Sequence, residues 1–296
     1  MDTANLEAFL AVAGTRSFSR AAEQLHLTQP AVSKRIASLE QQLNVRLFDR
    51  IGKHVHLTEA GMALKPRAEL IINTLNDTAR ALGNLAGTVR GRLRLATSHH
   101  IGLHRLPAVL RRFIKAYPGV VLDIQFLDSE VAYEKVLQGE IELAIITLAP
   151  DVKPPIIATE LWLDPLEFVV SPEHPLASAG QLRLSQLAPH PAVFPGLNTF
   201  THQVVSRLFE QHGLRPQISM SINYMETIKM LVSIGLAWSV LPTTMIDSQV
   251  RVLQLPGVRL QRQLGCIHHS GRTLSNAGQA LMGLLRESAN LTVELE

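Results

Sequence analysis

Residues 17–50, SFSRAAEQLHLTQPAVSKRIASLEQQLNVRLFDR, decide the reading of the N-terminal part of this chain. Phe18, Ala21, Ala22 and Leu25 recur at helical spacing and so share one buried face. Leu27 closes a polar turn, Thr28 stands where an N-cap belongs, and Pro30 falls just inside the next helix. That second helix buries Ala31, Val32, Ile36 and Leu39 and leaves Gln29, Ser33, Lys34 and Arg35 near its exposed N-terminal end. Amide, hydroxyl and cationic groups on the first turns of a helix suit a major groove, where base edges offer mixed donors and acceptors. Two amphipathic helices at an angle are most often only a packing unit. Here the small Ala21–Ala22 pair permits close crossing, and Gln29 and Ser33 lie one turn apart on the solvent side.

The segment that follows supports the same reading. Leu47–Leu57, LFDRIGKHVHL, reads as a hairpin turning at Gly52–Lys53, with Arg50 and Lys53 near its tip. A basic hairpin beside a recognition helix is a wing, placed to touch phosphates or the minor groove. Gln29 and Ser33 are then expected on base edges, and Lys34 and Arg50 on phosphates.

The stretch AFLAVAGTRSFSRAAEQLHLTQPAVSKRIASLEQQLNVRLFDR resembles the N-terminal domain of the LysR-type transcriptional regulators of bacteria. LTEAGMALKPRA is similar to the start of that family's linker helix, and VSIGLAWSVLP resembles the glycine-rich strand approach of its effector-binding domain. The likeness spans nearly the whole chain and is strongest over the first 65 or so residues. It implies a homo-oligomeric, ligand-responsive transcription factor, a homodimer or homotetramer, that binds double-stranded promoter DNA, with RNA polymerase a candidate partner. The family's DNA-contacting positions match at Gln29, Pro30 and Ser33, and Lys34 is a common cationic variant.

Length and composition agree. A chain of 296 residues suits a small domain and a larger one, and 46% hydrophobic residues suffices for packed cores. With 28 Lys and Arg against 25 acids the formal net charge is only +3, so any DNA-binding surface must be local. Between residues 89 and 115 stand Arg90, Arg92, Arg94, Arg105, Arg111, Arg112 and Lys115 without an acid, which reads as a solvated connector and helix face. The one cysteine, Cys266, excludes an intrachain disulfide and fits a reducing compartment. No basic start leads into an apolar run, and the apolar stretches are too short for a membrane span, so a cytoplasmic protein is expected.

The expected organisation is α/β with an N-terminal winged helix-turn-helix over 1–58, a linker and dimerisation helix over 59–88, and a two-lobed effector domain over 92–296. Leu64, Ala68, Ile71, Leu75, Leu82 and Leu85 follow steps of four and three along residues 58–88, with Thr78 filling the gap, a stripe suited to a helix–helix seam. Pro66 softens its early turns, and Gly83, Gly87 and Gly91 weaken its end into a hinge. Beyond the hinge strands alternate with helices: strands at 93–96, 120–126, 143–147, 166–170, 192–195, 218–222 and 238–241, and helices at 103–117, 129–138, 200–212 and 225–234. That alternation implies parallel strands covered by helices. Two lobes joined by crossing strands, in the manner of periplasmic-type binding proteins, accommodate it, with lobe I at 92–163 and 266–296 and lobe II at 164–265.

Open α/β sheets bind ligands beyond the carboxyl ends of their strands, where helices begin. The rule selects Ser98, His99 and His100, Asp128 and Thr147 on one lobe, and Phe194, Thr199, Thr201, His202 and Tyr224 on the other. The resemblance carries an effector role onto Ser98, His99, Thr147, Phe194, Thr199 and Tyr224. Hydroxyl-rich helix N-termini facing one cleft favour a small anion, such as chloride, a carboxylate or a sulfur oxyanion. Metal sensing by His99, His100, His202, His268 and His269 is the rival reading, but these show no ligand pair at helix-face spacing, so it stands second to the anion, and no metal site and no cofactor are expected. Cys266 lacks a resolving partner for redox switching. No nucleophile elbow, phosphate loop or dinucleotide fingerprint occurs, which argues against an enzyme carrying an incidental helix-turn-helix. A purely architectural DNA protein would have no use for two α/β lobes.

Overall fold

The structure, a computed structural model, describes residues 2–51 and 54–293. The chain divides by its internal contacts into two units, Met1–Gly83 and Asn84–Glu296. The first contains helices α1 (Thr3–Thr15), α2 (Phe18–Gln24) and α3 (Gln29–Leu43), strands β1 (Phe48–Ile51) and β2 (His54–Leu57), and the long helix α4, Glu59–Asn84, up to its last residue. Each early helix starts on a side-chain cap. Asp2 accepts from the Ala4 amide, Ser17 from Arg20, and Thr28 from Ala31, each satisfying a donor the helix itself cannot. Ala21 and Ala22 are buried, and this lets α2 approach α1 and α3 closely around Leu6, Phe9, Val12, Val32, Ile36 and Leu39. β1 and β2 pair antiparallel from Phe48↔Leu57 to Ile51↔His54, which is the expected hairpin.

A carboxylate holds the root of that hairpin. Glu40 on α3 accepts from the Leu47 amide at 2.7 Å and from Phe48 at 3.4 Å, while the aromatic rings of Phe9 and Phe48 lie 5.4 Å apart. Glu40→Ala is expected to leave two amides without their charged acceptor, a loss of about 1–3 kcal/mol. Hydrogen exchange on the intact chain would show this as faster exchange at Leu47 and Phe48; unchanged protection there would mean that the strand alone holds the hairpin.

Thr58 opens α4 by accepting from Gly61 N at 3.0 Å, and donates its hydroxyl to Arg46 O at 2.7 Å. Gly61 is required for a close approach: a Cβ there would meet Leu47 O at 2.2 Å. The apolar stripe divides in two. Leu64, Ala68 and Ile71 cover the core of their own unit, so the first half is an intradomain face. Leu75 and Leu82 are 48% and 63% exposed. The helix ends at Asn84 rather than continuing to 88, since Gly87 takes positive φ at the expected hinge.

The second unit runs β3 (Gly91–Thr97), α5 (His99–His104), α6 (Leu106–Ala116), β4 (Val120–Phe126), α7 (Ser129–Gln138), β5 (Leu143–Thr147), β6 (Ile156–Val170), α8 (Leu184–Leu187), β7 (Pro191–Phe194), α9 (Phe200–Gln211), β8 (Gln217–Ser221), α10 (Met225–Ser233), β9 (Ser239–Pro242), β10 (Arg251–Val252), β11 (Leu260–His269) and α11 (Asn276–Val293). The sheet order is β10-β6-β11-β5-β3-β4, with β9 also on β6. β3 lies parallel to β4 and β5, and β7 to β8, as alternation requires. The expectation of parallel pairing fails at β6 and β11, which pair antiparallel to each other along most of their length. These are the crossing strands. Toward β5 they belong to one lobe, built on Leu93, Leu95, Phe113, Trp162 and the α11 residues Leu281 and Leu285. Toward β9 and β10 they enter the other, built on Phe168, Phe194, Phe209 and Trp238.

Two local expectations are corrected. The single helix over 103–117 is two, broken at Arg105, because Pro107 cannot donate to the preceding turn and its ring crowds the carbonyl four residues back. The strand expected at 166–170 begins ten residues earlier, at Ile156. Four members of the cationic run pair with acids of the same unit: Arg92 and Arg94 with Asp123, Arg105 with Asp164 and Arg112 with Glu287. Among the described residues no helix is long and apolar enough to cross a membrane.

Candidate DNA-reading surface and interlobe cavity

On the first unit the N-terminal end of α3 is the surface of interest. Gln29 and Pro30 are exposed, Ser33 is half-buried, and Lys34 projects to solvent one residue on. The residues at the following turns, Ile36 and Leu39, are buried, so the helix is fixed by its inner face and free on its outer one. Arg35 is half-buried, with Nη1 3.5 Å from the Ala4 carbonyl, which braces α3 on α1. Arg50 lies on β1 with its side chain outside the described part, and Lys53 lies outside the described residues.

Within the second unit a cavity of about 50 Å³ opens between the lobes, room for roughly three or four water-sized positions. Of the residues expected there, Ser98, His99, His100, Asp128, Thr147, Thr199 and Thr201 line it. Phe194 does not: it is buried in the lobe core, edge-on to Trp238 at 5.1 Å. His202 is buried with Nδ1 2.8 Å from Pro195 O, a structural bond, and Tyr224 stacks edge-to-face on His99 at 4.9 Å. The cavity adds Pro195 and Met225 at the same junctions, and Ser129, Glu130, Asn223 and Arg262, which the strand-end rule passed over.

The hydroxyls differ in how far they are committed. Thr199 Oγ1 accepts from His202 N at 3.2 Å and donates to Gly196 O at 2.8 Å, so it caps α9 and has little left for a ligand. Thr201 Oγ1 accepts from Arg262, and Ser129 Oγ from the Thr147 amide. Ser98 sits at the N-cap position of α5 without making a side-chain cap bond. Its hydroxyl remains available to the cavity.

Arg262 is the central charge. It stands on β11 directly opposite Asp164 on β6, with Nε 2.8 Å from Asp164 Oδ2 and Nη1 2.7 Å from Thr201 Oγ1. Arg105 approaches the same carboxylate at 3.7 Å. Two guanidiniums thus share one fully buried aspartate at the crossing of the strands. Arg262 Nη2 has no hydrogen-bond partner among the described residues. No local pattern signals this pair, because its members are 98 residues apart in sequence.

The lobes also meet through acids. Glu130 on α7 accepts from the Phe200 amide at the start of α9 at 2.5 Å, and Asp128 accepts from Asn223 at 2.6 Å. Burial raises the Glu130 carboxyl above its ordinary range, against the lowering effect of the Phe200 hydrogen bond. His100 is 4% exposed, with neither ring nitrogen bonded. Burial first, then the Arg262, His104 and Arg105 charges, push its pKa down to about 3, so the ring is a neutral imidazole.

A helix-turn-helix with a wing hairpin is thus followed in the chain by two α/β lobes that enclose a polar cavity. Residues 3–62 match the bacterial regulatory helix-turn-helix protein, lysR family, and residues 86–290 match the LysR substrate binding domain. The chain therefore belongs to the LysR family, and it is a transcriptional regulator rather than an enzyme. It is 73% identical over 107 residues, 36% of this chain and 74% of the relative, to an uncharacterized HTH-type transcriptional regulator in the ibpB-leuC intergenic region of Azotobacter vinelandii. It is 30% identical over 288 residues, 94% of this chain and 93% of the relative, to the HTH-type transcriptional activator CmpR of Synechocystis. In fold it is similar to full-length CbnR in complex with its target DNA, with a TM-score of 0.66, 23% identity, and 97% of this chain and 100% of that one covered.

Proposed function

We propose that this regulator's hold on promoter DNA is set by a small anionic effector in the interlobe cavity. The observation that carries the reading is Arg262, a buried guanidinium with Nη2 unbonded, placed among cavity residues where α9 already receives a carboxylate from Glu130. An effector carboxylate or oxyanion would take the free Arg262 edge, the Ser98 hydroxyl and His100, and exchange with Glu130 at the helix N-terminus. Because Glu130 and Asp128 bond across the cleft, such an exchange rewrites the contacts that join the lobes. An effector shifts DNA binding only as far as its affinities for the two lobe arrangements differ.

On this reading the protein works in the cytoplasm as a homodimer or homotetramer on paired half-sites. Gln29 and Ser33 read base edges, Lys34 and Arg50 contact phosphates, and RNA polymerase is a further partner. The 58–88 segment sets the spacing of the recognition helices. The test is a thermal-shift screen of chloride, sulfate and small carboxylates on the intact chain, where a binder raises the transition temperature. Ser98→Ala is expected to leave folding and basal DNA affinity unchanged and to weaken the best anion about tenfold or more, as loss of one hydrogen bond to a charge implies. If no anion stabilises the protein, or Ser98→Ala binds the anion like the unmutated chain, the effector is not an anion held in this cavity.

A further inference from the structure

Beside the cavity, His100, His104 and Glu226 place ligand atoms all within 4.8 Å of one another. The sequence reading passed over this set because it did not pair His104 with His100. Four residues apart on α5, the two share a helix face, their ring centroids 4.8 Å apart. Glu226 comes from the opposite lobe, on the first turn of α10, with Oε1 3.4 Å from His104 Nε2. Bonds near 2.0–2.1 Å put two ligands of a tetrahedral zinc ion about 3.3–3.4 Å apart, so this pair already stands at shell distance.

His100 supplies the independent observation. A buried imidazole whose two nitrogens both lack partners forfeits water's hydrogen bonds and receives nothing in exchange, a condition native interiors rarely tolerate. A metal ion on one nitrogen would answer it. His104 and Glu226 are partly exposed, which leaves an entry path and an open position for water.

We infer that His100, His104 and Glu226 form a binding site for a divalent transition ion of the zinc type, two imidazoles and one carboxylate, that joins the two lobes. The ion replaces the His104–Glu226 hydrogen bond with two coordinate bonds and adds His100 as a third. Bridging α5 to α10, it favours the arrangement in which the lobes are together and so stabilises the domain. The two sites share His100, which lines the cavity, while His104 and Glu226 lie outside the lining, so variants at Ser98 and at His104 or Glu226 test them separately.

The test uses the full chain without an affinity tag, stripped with a chelator and titrated with Zn2+ against a chromophoric indicator. The expected result is one ion per chain at micromolar or tighter affinity, and a raised melting temperature. His104→Ala and Glu226→Gln, both at partly exposed positions, are each expected to weaken binding by about tenfold or more, at least the effect of disturbing an outer-shell partner. Ser98→Ala, which probes the anion reading, is expected to bind Zn2+ like the unmutated chain. The inference is overturned if the unmutated chain takes up no Zn2+, or if both variants bind it unchanged, which would assign the ion to other histidines.

Discussion

Asp164→Asn is expected to cost about 3–5 kcal/mol of stability in the larger unit, the penalty for stranding a buried charge. Asp164 is 0% exposed and Arg262 is 5% exposed. Removing the carboxylate's charge leaves Arg262 and Arg105 facing each other with no counter-ion at the crossing of β6 and β11. The same physics predicts that Asp164→Leu combined with Arg262→Met and Arg105→Met recovers much of the loss, since apolar side chains there carry no charge desolvation penalty. Trp162 and Trp238 are the chain's two tryptophans and both lie in this unit, so urea unfolding followed by their fluorescence reports on it selectively. A shift below about 1 kcal/mol would show that water reaches the pair and screens it.

Changing Leu75 and Leu82 together to Lys is expected to abolish self-association and, with it, cooperative binding to paired half-sites. The two leucines lie seven residues apart on α4, 48% and 63% exposed, beyond the point where the helix covers its own core. Burying a leucine fully stabilises by about 1.5–3 kcal/mol, so a seam using both from each partner depends on them heavily. Lysines there add like-charge repulsion across the seam. Sedimentation velocity would show a monomer. An unchanged oligomer would move the interface elsewhere on the molecule, and the exposed leucines would need another explanation.

The N-terminal unit was legible because its signals are local. Thr28 caps where expected, Pro30 enters the first turn, and the α2 and α3 core residues sit at helical period. The cavity was half legible. Strand ends located Ser98, His100, Asp128 and Thr147, but the same rule chose Phe194 and His202, whose side chains turn into the lobe core. A strand end fixes where the chain emerges and leaves open which way each side chain points. Thr199 illustrates the ambiguity of hydroxyl residues at helix starts, since its oxygen is spent on capping. Arg262 and Asp164 meet only through the register of two strands far apart in sequence. β6 was read at a third of its length because its exposed middle positions dilute the apolar pattern.

Sequence readout in this LysR-family chain is proposed to run through the N-terminal end of α3. Its most direct test is the affinity of the intact protein for a duplex selected from random sequence, against a scrambled duplex at the same salt concentration, before and after Gln29→Ala. Gln29 is exposed on the first turn of a helix held by its buried face, so the variant should fold normally. The predicted result is a loss of about 1–3 kcal/mol on the selected duplex, with little change on the scrambled one, because base contacts carry specificity while phosphate contacts do not. Equal losses on both duplexes, or none on either, would contradict it.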